Sequence, residues 1–330
     1  MTESMTTDGA ATPHRFGLST CWNGGRHQGR PGDLLDEHAR LGFRRLEAYC
    51  LHTPSELFEL GRLARERDFE ITSLHAPCPI AVDERGMRAR WGDWLASTNQ
   101  TDRQFAVDTV KKTVDAANEL GARGIVIHLG TTAMFSRQRT IVDTIAREGR
   151  NSPAHLQLVE QALGDREKNK QANLDAAITS IRALGEHARG SGVRLGVEAR
   201  DMYQEVPSLD EMGTVLDACE GLPVGYWHDA GHGAKLEYCG FWEHEEYLRR
   251  YADRMVGMHV HDTQLARDHR APGQGTTDFA MLAKYVKPDT ILTFELHADV
   301  LAEHIEPGRE WLLTLGMGDV RSQESGVRSQ

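Results

Sequence analysis

Four residues in this chain stand at the ends of short apolar runs, and all four are of types that hold divalent cations. Glu198 closes Gly192-Val-Arg-Leu-Gly-Val, Asp229 closes Val224-Gly-Tyr-Trp-His, His259 closes Met255-Val-Gly-Met, and Glu295 closes Thr290-Ile-Leu-Thr-Phe. Three carboxylates and one imidazole suit Mn²⁺, Mg²⁺, Co²⁺ or Zn²⁺, with coordination positions left for substrate oxygens. The carboxylates lean toward Mn²⁺ or Mg²⁺, and the histidine draws the balance toward Mn²⁺, Co²⁺ or Zn²⁺. One divalent metal is expected, with Mn²⁺ first among the four. A single acid after a strand is as often a helix cap or an ion-pair partner. Four compatible ligands at successive strand ends make a set, and the set carries the expectation.

Other polar side chains flank these positions. His75 and His128 end two earlier apolar runs, His232 follows Asp229 by three residues, and His261 and His269 lie beyond His259. Their types fit proton transfer, hydrogen bonding to a substrate, or further metal ligation. Side chains alternate along a strand, so His228 should face away from Asp229 while His261 shares a side with His259. His297 stands in the same relation to Glu295, or already in a loop. Arg200, just past Glu198, could meet a phosphate or carboxylate on a substrate, with a surface ion pair as the equal alternative. Tyr49, Trp22, Phe135 and Tyr203 are candidate walls for a pocket, or plain core.

Such residues need a scaffold that collects them. Strand-like runs at 14–20, 44–49, 70–75, 124–128, 192–198, 224–229, 255–259 and 290–295 alternate with helical segments. That alternation specifies a parallel sheet, and eight units suffice to close it. The expected fold is α/β, a single (β/α)8 TIM barrel over residues 14–315 with an elongated helical loop after strand four, at 131–167. A helix from about Asn169 to Arg189 follows it, His232 sits in the loop above strand six, and Pro307 bends or breaks a closing helix between Val300 and Leu315. Residues 1–13 read as a disordered leader and 316–330 as a flexible tail. No Gly-x-Gly-x-x-Gly follows a strand and no Walker-type motif occurs, so an open nucleotide-binding sheet is the weaker reading. In a closed parallel barrel all strand C-termini meet on one face, and Glu198, Asp229, His259 and Glu295 should converge there.

Composition narrows the partners. A formal charge of −11, from 49 acids against 38 bases, disfavours a broad surface for nucleic acid. No apolar run is long enough for a membrane helix, and the N-terminus has neither the basic nor the apolar region of a signal peptide. The five cysteines are widely spaced without a Cys-x-x-Cys, which fits reduced thiols in a cytoplasm. The aromatic stretch at Phe241-Trp242-Tyr247 leaves both a monomer and a homo-oligomer open.

The elements Leu74-His75-Ala-Pro, Val126-Ile-His128, Val197-Glu198, Asp229-Ala-Gly-His232, His259-Val-His-Asp262, Pro272-Gly-Gln-Gly275 and Phe294-Glu295 follow one another in an order that resembles the xylose isomerase-like TIM-barrel superfamily. That superfamily contains sugar phosphate isomerases and epimerases and the endonuclease IV enzymes. The resemblance runs from about His14 to Leu315. It implies metal ligation by Glu198, Asp229, His259 and Glu295, and a small sugar or polyol as substrate. It also implies that Glu198 and Glu295 move a proton on opposite faces of a carbon next to a carbonyl, through an enediolate, while His232 bonds a substrate oxygen. The same abstraction followed by loss of a β-substituent gives lyases and dehydratases acting on inososes, dehydroshikimate or 3-keto-glycosides. In the endonuclease branch, histidines matching His75 and His128 join the glutamate in a three-zinc cluster, and an Asp-x-His pair holds the third ion with the histidine matching His232. Here that stretch reads Arg267-Asp268-His269, which sets a cation where the aspartate is expected. With the acidic net charge, this makes the nuclease a minority reading. A non-catalytic partner subunit is a third reading, and the retained ligand set argues against it.

Overall fold

The computed structural model describes residues 14–50, 52–80 and 93–319; the expected leader and the tail beyond 319 lie outside them. Eight parallel strands close a barrel: β1 (Phe16–Ser19), β2 (Arg45–Ala48), β3 (Glu70–His75), β4 (Gly124–Ile127), β5 (Arg194–Glu198), β6 (Val224–Asp229), β7 (Met255–Val260) and β8 (Ile291–Phe294). Each pairs with its neighbours in sequence, and β8 returns to β1. The outer layer comprises α1 (Pro31–Arg40), α2 (Pro54–Glu66), α3 (Gln100–Leu120), α4 (Gln138–Glu148), α5 (Pro153–Asn169), α6 (Gln171–Ala188), α7 (Leu209–Ala218), α8 (Ala230–Tyr238), α9 (His244–Tyr251), α10 (Phe279–Ala283) and α11 (Ile305–Thr314). This is the single (β/α)8 barrel that the alternation specifies.

Both faces of such a sheet are covered, so a strand such as β7 is buried at every position. Trp227 on β6 points inward and fills the space beneath the strand ends. A Cβ at Gly196 on β5 would come within 2.8 Å of that side chain, and one at Gly257 on β7 within 2.3 Å. Glycine on both flanking strands therefore lets the indole enter, and its ring packs 5.1 Å from that of His259.

The long excursion after β4 is α4 and α5, with a small core of its own: Ile141, Ile145, Val159 and Ala162 against Tyr203, Leu236 and Phe241. Arg166 on α5 ties it to the barrel. Its buried guanidinium donates to both oxygens of Glu211 and to the backbone carbonyls of Tyr203 and Glu205.

Several local expectations change. Pro307 does not break the last helix, because α11 starts at Ile305 and the proline falls in its first turn, where no helical N–H is lost. His232 is not in a loop. Asp229 caps α8 directly, its Oδ1 accepting the backbone N–H of His232 at 2.7 Å, so strand, cap and helix follow without a spacer. The chain after β7 forms a hairpin, 262–264 against 267–270. Asp262 organises it, its carboxylate accepting the backbone N–H groups of Thr263, Gly273, Gly275 and Thr277 at 2.7–3.0 Å. A Cβ at Gly275 would lie 2.5 Å from that carboxylate, so the turn depends on glycine there. Residues 316–319 return to β1, with Met317 buried and the Arg15 backbone N–H donating to Gly318 at 3.1 Å. Among the described residues no helix is long and apolar enough to cross a membrane.

Candidate active site

Glu198, Asp229, His259 and Glu295 meet at the C-terminal face, where one ligand atom from each lies within 4.8 Å of the other three. All four are buried. The Nδ1 of His259 is the hub, 2.7 Å from Glu198 Oε1, 2.9 Å from Glu295 Oε2 and 3.4 Å from Asp229 Oδ2. One proton on that nitrogen cannot satisfy three carboxylates, whereas a lone pair directed at a shared cation suits all of them. Three buried carboxylates also require positive charge close by. The donor set fits a divalent cation.

Neighbouring histidines also act on these acids. Burial works against ionisation of all three acids, yet neighbouring histidines hold each well below its usual range. His128 and His259 act on Glu198, His232 and His261 on Asp229, and His259 and His269 on Glu295. Conversely His259, which burial alone would depress, is pushed up by Glu295 and Glu47.

Glu47 is the residue that sequence reasoning passes over. It lies on β2, fully buried in the barrel, accepts from Ser73 Oγ at 2.9 Å and stands 3.2 Å from His259 Nε2. Donation of Nε2–H to Glu47 leaves Nδ1 as the ligating atom, so this carboxylate sets the tautomer and the plane of the ring. A signal existed. A strand of a parallel barrel is covered on both faces, and a charge in its middle must find a partner.

His75, His128, His232 and His269 line a cavity of about 440 Å³ together with Glu198, Arg200 and Glu295, and Tyr49, Leu296 and Ala298 supply its less polar wall. That volume is in the range of small-molecule sites. His232 Nδ1 donates to the Ala199 carbonyl at 3.0 Å, which turns Nε2 toward the cavity. His269, at φ 55° on the hairpin, is stacked between His261 and His297 at 4.1 and 4.6 Å. Burial would lower its pKa, but Asp268 and Glu295 push it well up; its Nδ1 stands 3.2 Å from Asp268 and its Nε2 3.3 Å from Glu295.

His261 does not reach the cavity. Its Nε2 lies 2.8 Å from Asp229 Oδ1 and its Nδ1 accepts the His269 backbone N–H at 2.8 Å, so both nitrogens orient protein groups rather than a substrate. Arg200 lines the cavity but is held by acids, with Nη1 3.0 Å from Glu198, Nε 3.1 Å from Glu205 and Nη2 3.9 Å from Asp201. It is thus not a surface pair, and its guanidinium faces these carboxylates. Of the aromatic candidates, Tyr49 meets the cavity, edge-on to His75 at 5.0 Å. Trp22 is buried with its Nε1 on the Val300 carbonyl, Tyr203 belongs to the second core, and Phe135 is 87% exposed. His228 faces outward as alternation requires, bonded to Tyr226 and His244. Arg267 turns to the surface, 2.6 Å from Asp299, so no cation from that position enters the site. Asp268 enters instead, 3.3 Å from Lys235.

The sequence matches the model of a family described as "Xylose isomerase-like TIM barrel" over residues 35–315. An uncharacterized protein, y4fM of Sinorhizobium fredii, is 23% identical over 265 residues, which cover 78% of this chain and 70% of that protein. Among solved structures, the 3-keto-D-glucoside 4-epimerase YcjR of E. coli superposes with a TM-score of 0.64 at 16% identity, over 92% of this chain and 100% of the other. An L-ribulose 3-epimerase does so with a TM-score of 0.65 at 14% identity, over 96% and 100%. At such identities the likeness is one of fold.

Proposed function

The chain belongs to the xylose isomerase-like TIM-barrel family, and within it we propose that it is a divalent-metal-dependent epimerase or isomerase of a keto-sugar. The observation that carries this reading is a pair of cavity-lining glutamates, from β5 and β8, that both reach one imidazole nitrogen. A substrate seated there has a carboxylate from each of two separate strands beside it. Glu198, Asp229, His259 and Glu295 would hold the cation, with Mn²⁺ suited to three oxygens and one nitrogen. When bound, the cation supplies Lewis-acid stabilisation to an oxygen that gains charge as the C–H bond beside a carbonyl breaks.

The chain's own groups do the rest. One glutamate, ionised at neutral pH, takes the proton. The other, which takes up a proton from solvent before the step, returns it to the opposite face of the carbon, and the two exchange roles with each turnover. His269 donates to a substrate oxygen, and His232 meets another through Nε2. Arg200 is engaged by three carboxylates and Lys235 by two, which favours a neutral sugar over a sugar phosphate. Two structural relatives bear the names of sugar epimerases, in keeping with a sugar substrate.

The test is incubation with a panel of ketoses and 3-keto-glycosides in D₂O with Mn²⁺, followed by NMR. Deuterium should enter one carbon beside the carbonyl as an epimer or isomer forms. Glu198→Gln and Glu295→Gln should each slow this by about 100- to 10,000-fold, the range of general acid–base catalysis. Intact turnover in either variant overturns the two-glutamate mechanism, and release of a β-substituent in place of an epimer assigns the lyase branch of the same chemistry.

A further inference from the structure

A second group of ligand atoms adjoins the first and shares a residue with it. His75, His128 and Glu198 each bring one donor atom within 4.8 Å of the others, and all three are buried. His75 Nδ1 faces the Ala76 carbonyl at 3.3 Å, leaving Nε2 on the side of Glu295, 3.8 Å away. His128 Nε2 lies 2.5 Å from Glu198 Oε2. Two imidazoles and a carboxylate are a competent donor set for a transition-metal ion.

A cationic group already occupies this corner. Arg200 Nη1 is 2.8 Å from His128 Nε2 and 3.0 Å from Glu198 Oε2. Nη1 lies against the imidazole nitrogen and donates to the carboxylate oxygen that a metal there would use. The guanidinium is also braced from behind, since Glu205 Oε1 is 3.1 Å from Nε while its Oε2 accepts the Met202 backbone N–H at 3.0 Å. An arginine keeps its charge at any accessible pH and has a planar fork that suits several acceptors at once. Its displacement by an ion would take from Glu205 the guanidinium that stands 3.1 Å away.

We propose that Arg200 keeps the metal centre mononuclear, its guanidinium lying against the His128–Glu198 pair in the place of a second cation. The inference rests on the reading of Glu198, Asp229, His259 and Glu295 as a metal site. On this account Arg200 is a specificity-determining residue for metal stoichiometry, not a substrate anchor.

The experiment is metal analysis of the full chain, stripped with a chelator, reloaded with Zn²⁺ and desalted, with Co²⁺ loading followed by its visible spectrum. Wild type should retain one ion per chain. Arg200→Ala should retain two, a doubling, with a second Co²⁺ absorption that has histidine ligands. Arg200→Met, close in length but uncharged, should gain the same ion and covers the case in which the alanine variant does not fold. Adding His128→Ala to either variant should restore a single ion. One ion in both Arg200 variants, or two in wild type, overturns the proposal. No ion in wild type overturns the first-site reading and this inference with it.

Discussion

Replacing Glu47 by glutamine tests whether the barrel interior sets metal affinity from behind the ligand. The side chains of Glu47 and His259 are both 0% exposed, and their facing atoms are 3.2 Å apart. Glutamine keeps the shape and an oxygen for Ser73, but the charge that pulls on Nε2–H is gone. A hydrogen bond to a charged group contributes about 1.5–3 kcal/mol. At about 1.4 kcal/mol per decade, that loss alone corresponds to roughly 10- to 150-fold in affinity. One effect runs the other way. Glu47 also raises the affinity of His259 for a proton, so its removal lessens the competition that the metal meets at neutral pH. The net expectation is the lower part of the range, about 10-fold, at the foot of the interval typical for loss of a carboxylate behind a ligating histidine. Titration of the apo-protein with Mn²⁺, with free ion read by EPR and folding checked by circular dichroism, measures it. A Kd within about threefold of wild type, less than ~0.7 kcal/mol, would refute the argument that Glu47 positions His259.

Other perturbations probe the frame and the substrate. Gly257→Ala sets a Cβ 2.3 Å from Trp227, and overpacking of this kind costs about 1–3 kcal/mol; unchanged stability in urea would mean that the indole is free to shift. Glu211→Ala leaves the Arg166 guanidinium buried without its carboxylate and should cost about 3–5 kcal/mol by the same measurement. The pH dependence follows from the same pair. Burial raises the Glu211 pKa, but Arg166 holds it below the ordinary 4.5, so its contribution is complete above that value and is lost as pH falls below it. Wild type should lose stability across that acid window more steeply than Glu211→Gln, and parallel curves would contradict the assignment. A ketose should show a higher kcat/KM than its phosphate ester, and the reverse order would show that Arg200 is released to bind an anion.

The barrel is legible because β/α alternation is a property of consecutive residues. Each strand is a short apolar run between a turn and a helix, and closure follows from their number and parallel pairing. Features that depend on one side chain gathering distant backbone are not legible in this way. Asp262 collects four N–H groups spread from Thr263 to Thr277, while the sequence presents a single acid in a polar stretch, so the hairpin there reads as loop. The start of α8 is hidden for a different reason. Asp229 reads as a strand-end ligand, and the same carboxylate also serves as a helix cap, which draws His232 into the first turn.

Strand tips announce their side chains, so the four ligand candidates can each be found from local pattern. Their supports are set by closure. β2 and β7 are not neighbours in the ring, and only the interior of the barrel brings Glu47 to His259. Arg200 shows the same logic in a loop. Two residues past Glu198 it falls on the ligand side, but whether it meets a substrate or its own acids depends on Asp201 and Glu205 folding around it. Along the sequence such a run of mixed charge reads as solvated surface. Burial turns it into a fixed cation beside a ligand, and that change of environment, rather than any change of residue type, makes Arg200 a candidate for control of the centre.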